Sequence, residues 1–209
     1  QKPIRSSNSL PAQGRTPAIN KAVVSLNDEA KKIIDQLVSG SKQLDIISVV
    51  GMPGLGKTTL ARSVFNDPSV TRTFHSHAWC IVSQVYTKKD LVLQILGWIV
   101  PELSDQYLNK SEVDLEEELK KRLMKNKYLI VLDDVWDADA WSGLERSLPN
   151  DANGSRILFT SRHPEVAKKI NPNCEPHPLR QLTDDESWEL LQKRLSCRDS
   201  YDEKLGREI

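Results

Sequence analysis

Short, almost continuous apolar runs alternate along this chain with stretches whose apolar residues recur every three or four positions. The short runs are DIISVVG (45–51), HAWCIVS (77–83), KYLIVLDDVW (127–136) and SRILFTSR (155–162). Each is too brief for a buried helix and too apolar for a strand with one wet face, so each predicts a strand covered on both sides. Helical stripes lie between them. In NDEAKKIIDQLVSG the stripe is Ile33, Ile34, Leu37 and Val38, with Gly40 placed as a C-terminal cap. KTTLARSVFN predicts a helix that stops at Asp67-Pro68. Three further helices open with capping-box spacing: Thr87 with Asp90, Ser111 with Asp114, and Thr183 with Glu186. Trp141, Leu144 and Leu148 mark another helix, and PEVAKKI a short one with Pro164 in its first turn. Strand–helix alternation of this kind predicts an α/β fold, with a mostly parallel sheet between two layers of helices. Residues 1–21, rich in Ser, Pro, Gln and basic side chains, read as an arm or linker.

Composition narrows the function classes. Lys plus Arg equals Asp plus Glu, 29 each, so no general affinity for nucleic acid is predicted. No apolar run approaches the roughly 18 residues that span a bilayer, and the first residues have no signal-peptide core, so an intracellular, cytoplasmic protein is expected. Cys80, Cys174 and Cys197 are scattered and odd in number, which fits a reducing compartment; Cys80 sits in an apolar run and reads as a core thiol. The four histidines lack metal-ligand spacing.

The chemistry concentrates after the first strand, in VVGMPGLGKTTLA. Gly51, Gly56, Lys57 and Thr58 satisfy G-x-x-x-x-G-K-[ST], a pattern expected by chance in roughly one chain in a hundred of this length. A buried strand leads in and a helix leads out, as a phosphate-binding loop requires. Glycines let successive N–H groups turn inward, and the helix adds its positive N-terminal end. Gly51, Gly54, Leu55, Gly56, Lys57, Thr58 and Thr59 are therefore candidate nucleotide-binding residues. Lys57 is placed for the β- and γ-phosphates, Thr58 for Mg²⁺ and Thr59 for the α-phosphate side.

Two more candidates end buried strands. LIVLDD ends in Asp133, placed to hold Mg²⁺ beside Thr58, and Asp134, a candidate to orient or deprotonate water. Asp is also common where a loop begins, and that plainer reading stays open for Asp134. In ILFTSR, Arg162 would face the γ-phosphate position if its strand lay between the loop strand and the acidic strand; otherwise it is a surface charge. Lys57, Asp134 and Arg162 are the candidate catalytic groups.

In order, GMPGLGKTTLA, HAWCIVSQ, KYLIVLDDVW, GSRILFTSR and LTDDESWELLQKR resemble the NB-ARC nucleotide-binding domain of plant intracellular immune receptors, the NLR proteins among the STAND ATPases. The likeness runs from about residue 22 to 209, and the tryptophan of LDDVW resembles the coiled-coil-bearing subclass. The resemblance implies a three-layer P-loop NTPase fold with strand order 5-1-4-3-2. It implies a nucleotide-binding domain over 22–180 and the start of the following helical (ARC1) region over 181–209. It implies bound ADP at rest, ATP with Mg²⁺ when active, and slow hydrolysis at most. By position, Val23 and Val24 of VVSLNDEA would line the base, with Ser25 where the family usually has Gly. KLGREI is similar to the helix before a motif that packs on the nucleotide, so the chain reads as a piece of a larger device. The implied partners are an N-terminal coiled coil, ARC and leucine-rich-repeat regions, further receptor copies on activation, and a pathogen effector sensed directly or indirectly. The alternatives are a turnover P-loop ATPase or small-molecule kinase, and a DNA-remodelling ATPase, against which zero net charge weighs.

Overall fold

The computed structural model describes residues 27–100, 106–181 and 183. Helix α1 (Asn27–Ser39) precedes strand β1 (Asp45–Val50), followed by α2 (Lys57–Phe65), α3 (Pro68–Thr73), β2 (Ser76–Ile81), α4 (Lys88–Ile99), α5 (Glu112–Leu123), β3 (Tyr128–Val135), α6 (Asp139–Glu145), β4 (Arg156–Ser161), α7 (Pro164–Ile170) and β5 (His177–Pro178). All four strand pairings are parallel, in the order β2-β3-β4-β1-β5. This is the expected order read from its other end, and it places β4 between β1 and β3.

Strand parity builds the three layers. In β3, Leu129 and Val131 face one side, packing with Ile33 and Leu37 of α1 and Leu60 and Val64 of α2. Tyr128, Ile130 and Leu132 face the other, among residues of α4 to α7 such as Leu91, Leu119, Leu144 and Val166. Alternate residues of a strand point to opposite faces, so a strand apolar at every position needs both layers. Cys80 lies in the second layer, fully buried, and burial pushes its thiol up to about 12.

Local signals account for most helix boundaries. Thr87 accepts a bond from the Asp90 N–H while the Asp90 carboxylate takes the Thr87 N–H, the complete capping box. Ser111 caps α5 by accepting from the Asp114 N–H. Of the Thr183–Glu186 box only Thr183 is described; Glu186, the region after it and Val23 and Val24 lie outside the described residues.

Three features depart from the sequence pattern. Asp67-Pro68 stops α2 but also starts α3, with Asp67 accepting from the Ser69 N–H at 2.8 Å and Pro68 in the first turn, where its missing N–H costs nothing. Strand β5 has two residues and no apolar run; it is held by pairing with β1 and by the Leu179 N–H on the Val50 carbonyl at 2.8 Å. Gly40 follows α1 but is not left-handed, so it is not the expected C-terminal cap. A Cβ there would collide with the guanidinium of Arg156, and close approach explains the glycine.

The edge strand is protected by a side chain. Gln94 of α4 accepts from the Ile81 N–H at 3.0 Å and donates to the Ile81 carbonyl at 3.2 Å, copying a strand partner.

His77, on β2, packs edge-on to Phe65 and Phe74, and burial lowers its pKa. Above the ordinary histidine value of about 6.5 both folded and unfolded chains carry it neutral. Below that value the unfolded chain binds the proton first, so stability is lost as pH falls toward the lowered folded value. The urea midpoint of the native chain is therefore expected to fall between pH 7.5 and pH 5.5 by more than that of His77→Leu. Equal falls would show that His77 does not contribute.

Candidate functional site

The site is built where β1, β3 and β4 end. β1 runs out at Val50 and the chain turns through Gly51–Gly56 into α2. Gly54 and Gly56 hold φ of 83° and 86°, the left-handed region that costs other residues energy. Gly51 is needed for a different reason: a Cβ there would lie 3.1 Å from Leu55 and 3.2 Å from the Leu179 carbonyl, where β5 continues beneath the loop. Leu55 thus packs inward and helps hold the loop.

Lys57 begins α2 and is buried. Its ammonium donates to the carbonyls of Gly51 (2.7 Å) and Met52 (2.8 Å), closing over the loop. Burial lowers its pKa, and the positive charge of Arg162 adds to that; Asp134 and Asp133 pull the other way. These opposing influences place all four groups in one electrostatic neighbourhood. Thr59 follows on an exposed part of α2's first turn.

Thr58 donates its hydroxyl to Asp133 at 2.9 Å, across 75 residues of chain. Asp133 is buried, and the same oxygen accepts a second hydroxyl, that of Thr160, at 2.7 Å. Thr160 in turn accepts the Asp134 N–H at 2.8 Å. Thr160 belongs to no linear motif; its signal in the sequence is a hydroxyl that follows the apolar run of Ile157, Leu158 and Phe159. A threonine hydroxyl and a buried carboxylate, converging at the loop mouth, are the hard oxygen donors that suit Mg²⁺. The residues present therefore fit that ion.

β3 and β4 fall out of step here. Leu132 pairs with Phe159 and Val135 with Ser161, so β3 carries one residue more than β4. The extra residue is absorbed at Asp134, whose φ is +60°. The bulge turns the Asp134 carboxylate to meet Arg162, just past the end of β4. Arg162 donates from Nε and Nη2 to the two carboxylate oxygens, both at 3.0 Å. Its guanidinium also lies over the Trp136 ring, 4.6 Å from the centroid.

The structure thus brings Gly51, Gly54, Leu55, Gly56, Lys57, Thr58, Asp133, Asp134 and Arg162 to one end of the sheet. It also adds Thr160 and Trp136 to them. Arg162 directly follows β4, the strand between the loop strand and the acidic strand, where its candidacy required it, but here it is engaged with Asp134.

The NB-ARC domain profile matches residues 26–200, most of the chain. The chain belongs to the NB-ARC family. The putative late blight resistance protein homolog R1B-16 of Solanum demissum is 45% identical over 181 residues, 87% of this chain and 14% of its own length. Late blight resistance protein R1-A of the same plant is 42% identical over 187 residues, 89% of this chain and 14% of its own length. The NB-ARC domain here therefore spans about one seventh of these relatives. Among solved structures, Cdc6p from Pyrobaculum aerophilum superposes with a TM-score of 0.66 at 15% identity, covering 87% of this chain and 52% of that one. A STAND protein with a tetratricopeptide repeat sensor from Pyrococcus horikoshii gives 0.50 at 18% identity, covering 78% and 25%. At such identities the likeness is one of fold: the three-layer P-loop architecture. Among the described residues, no helix of this NB-ARC domain is long and apolar enough to cross a membrane.

Proposed function

We propose that this domain is the ADP/ATP switch of an intracellular plant immune receptor. ADP holds the resting state and ATP the active one, which assembles with further receptor copies. A nucleotide can drive such a change only by binding the two states with different affinity. The groups that would supply the difference stand at the loop mouth. The Gly51–Gly56 loop, Lys57 and Thr59 would hold the phosphates common to both nucleotides. Thr58 and Asp133 would hold Mg²⁺, which neutralises phosphate charge when bound. Arg162 would meet the γ-phosphate, and Val23 and Val24 would approach the base. The observation that carries this reading is the Thr58–Asp133 hydrogen bond at 2.9 Å, which joins the phosphate loop to the acidic strand end in a chain of this family.

Slow hydrolysis follows from Asp134. It is a short side chain, its backbone is held by Thr160, and its carboxylate is already engaged by Arg162. A base occupied by a cation is a poor acceptor for a water proton. As the family resemblance implies, the rest of the receptor would carry the coiled-coil, ARC and leucine-rich-repeat regions and the recognition of a pathogen effector; that the chain spans about 14% of its late blight resistance relatives supports further regions.

The test is the nucleotide released on denaturing the full-length protein. One equivalent of ADP is expected, with turnover below about one per second. Protein that retains no nucleotide and turns ATP over well above that rate would be a working ATPase or kinase, and the switch reading would fail.

A further inference from the structure

Arg162 is the one cation of the site held in two ways at once. Its Nε–Nη2 edge is taken by the Asp134 carboxylate, and one of its faces by the Trp136 ring. The holders are themselves fixed. Asp134 sits in the left-handed bulge with its N–H on Thr160, which fixes the backbone from which its carboxylate reaches Arg162. Trp136 is flanked by the His163 ring, with centroids 6.1 Å apart and planes at 50°. The pair is still partly open to solvent, with the Arg162 and Asp134 side chains 37% and 31% exposed. An ion pair so exposed is a weak clamp, one that a more highly charged acceptor can outcompete.

We propose that Asp134 and Trp136 form a parking site for Arg162 that only a triphosphate empties, with Trp136 as the positioning residue. The inference rests on the switch reading above and extends it to how the site tells ATP from ADP. A γ-phosphate offers oxygens to the same guanidinium edge that Asp134 occupies, and carries more charge than one carboxylate. ADP offers nothing at that position and leaves the parked state intact. Trp136 contributes by holding the guanidinium plane while its forked edge is on Asp134, and gives it up when that edge turns to the γ-phosphate. No covalent step is involved.

Two kinds of measurement on the 209-residue chain test this. The first is the ratio of affinities for a non-hydrolysable ATP analogue and for ADP, each with Mg²⁺, by calorimetry. Asp134→Asn keeps the shape and removes the competing charge, so the ratio is expected to move roughly fivefold toward the ATP analogue. Trp136→Leu should move it the same way by roughly twofold. The second is ¹⁹F NMR of protein labelled with 5-fluorotryptophan, with the Trp136 resonance assigned by its loss in Trp136→Phe. That resonance should hold its nucleotide-free position with ADP and shift with the ATP analogue, as the cation leaves the ring. In Arg162→Gln it should sit at the shifted position with no nucleotide added. A merely structural Trp136 would not follow the γ-phosphate. An ATP analogue that binds without moving the Trp136 resonance, or an unchanged affinity ratio in Asp134→Asn, would overturn the inference while leaving the switch reading standing. Failure of both nucleotides to bind would overturn the two together.

Discussion

Lys57→Ala is expected to lower the affinity for ADP with Mg²⁺ by at least about a hundredfold while leaving the fold intact. The ammonium begins α2, is buried, and already lies over the loop with its protons on the Gly51 and Met52 carbonyls. Those carbonyls hold the side chain in the position where phosphate oxygens would be met. Hydrogen bonds to charged groups are worth about 1.5–3 kcal/mol each, and losing two of them corresponds to at least about two powers of ten in affinity. Folding is less sensitive, because keeping this charge in its buried place has its own cost, visible in its lowered pKa. Calorimetric titration with ADP and a urea melt on the same sample check both halves. An affinity within threefold of the native chain would remove Lys57 from the phosphate site.

Arg156→Met is expected to show the reverse, a loss of stability with little effect on nucleotide affinity per folded molecule. Arg156 opens β4 and is fully buried. Its Nη1 donates to the Gln43 and Ser155 carbonyls, both at 2.9 Å, and its Nη2 to the Ser41 carbonyl at 2.6 Å. It thereby ties the α1–β1 connection to the base of the sheet. Methionine retains much of the apolar stem but leaves three carbonyls without this donor, at a cost of about 3 kcal/mol. Arg162 lies just beyond the other end of the same strand, so the phosphate site should be untouched. The urea midpoint gives the first quantity and calorimetry on folded protein the second. An unchanged midpoint would mean that water replaces the guanidinium without loss.

These two residues differ in how far the sequence exposed them. Lys57 belongs to a loop whose requirements are met by consecutive residues, so a linear pattern carries it. Arg156 stands between a serine and an apolar run, and nothing nearby says that it will be enclosed. Two of its three partners lie 113 and 115 residues away. Gly40 departs from its local expectation for the same cause: a glycine after a helix suggests a cap, whereas the reason for it here is Arg156, on another element. Thr160 and Trp136 were visible as residues but not as members of the site, since their partners Asp133 and Arg162 come from neighbouring strand ends.

By itself, then, the sequence determined what depends on near neighbours along the chain. Four buried strands, the helices between them, the capping residues and the phosphate loop follow from periodicity, turn chemistry and the backbone needs of short segments. The strand order came from resemblance, and two-residue β5 had no local signal at all. Tertiary structure alone decided what Arg162 does. The crossover that puts β4 between β1 and β3 sets Arg162 beside Asp134, 28 residues away, and the one-residue bulge in β3 turns the carboxylate toward it. Such a contact depends on the relative placement of two strand ends, and sequence periodicity carries no information about that placement.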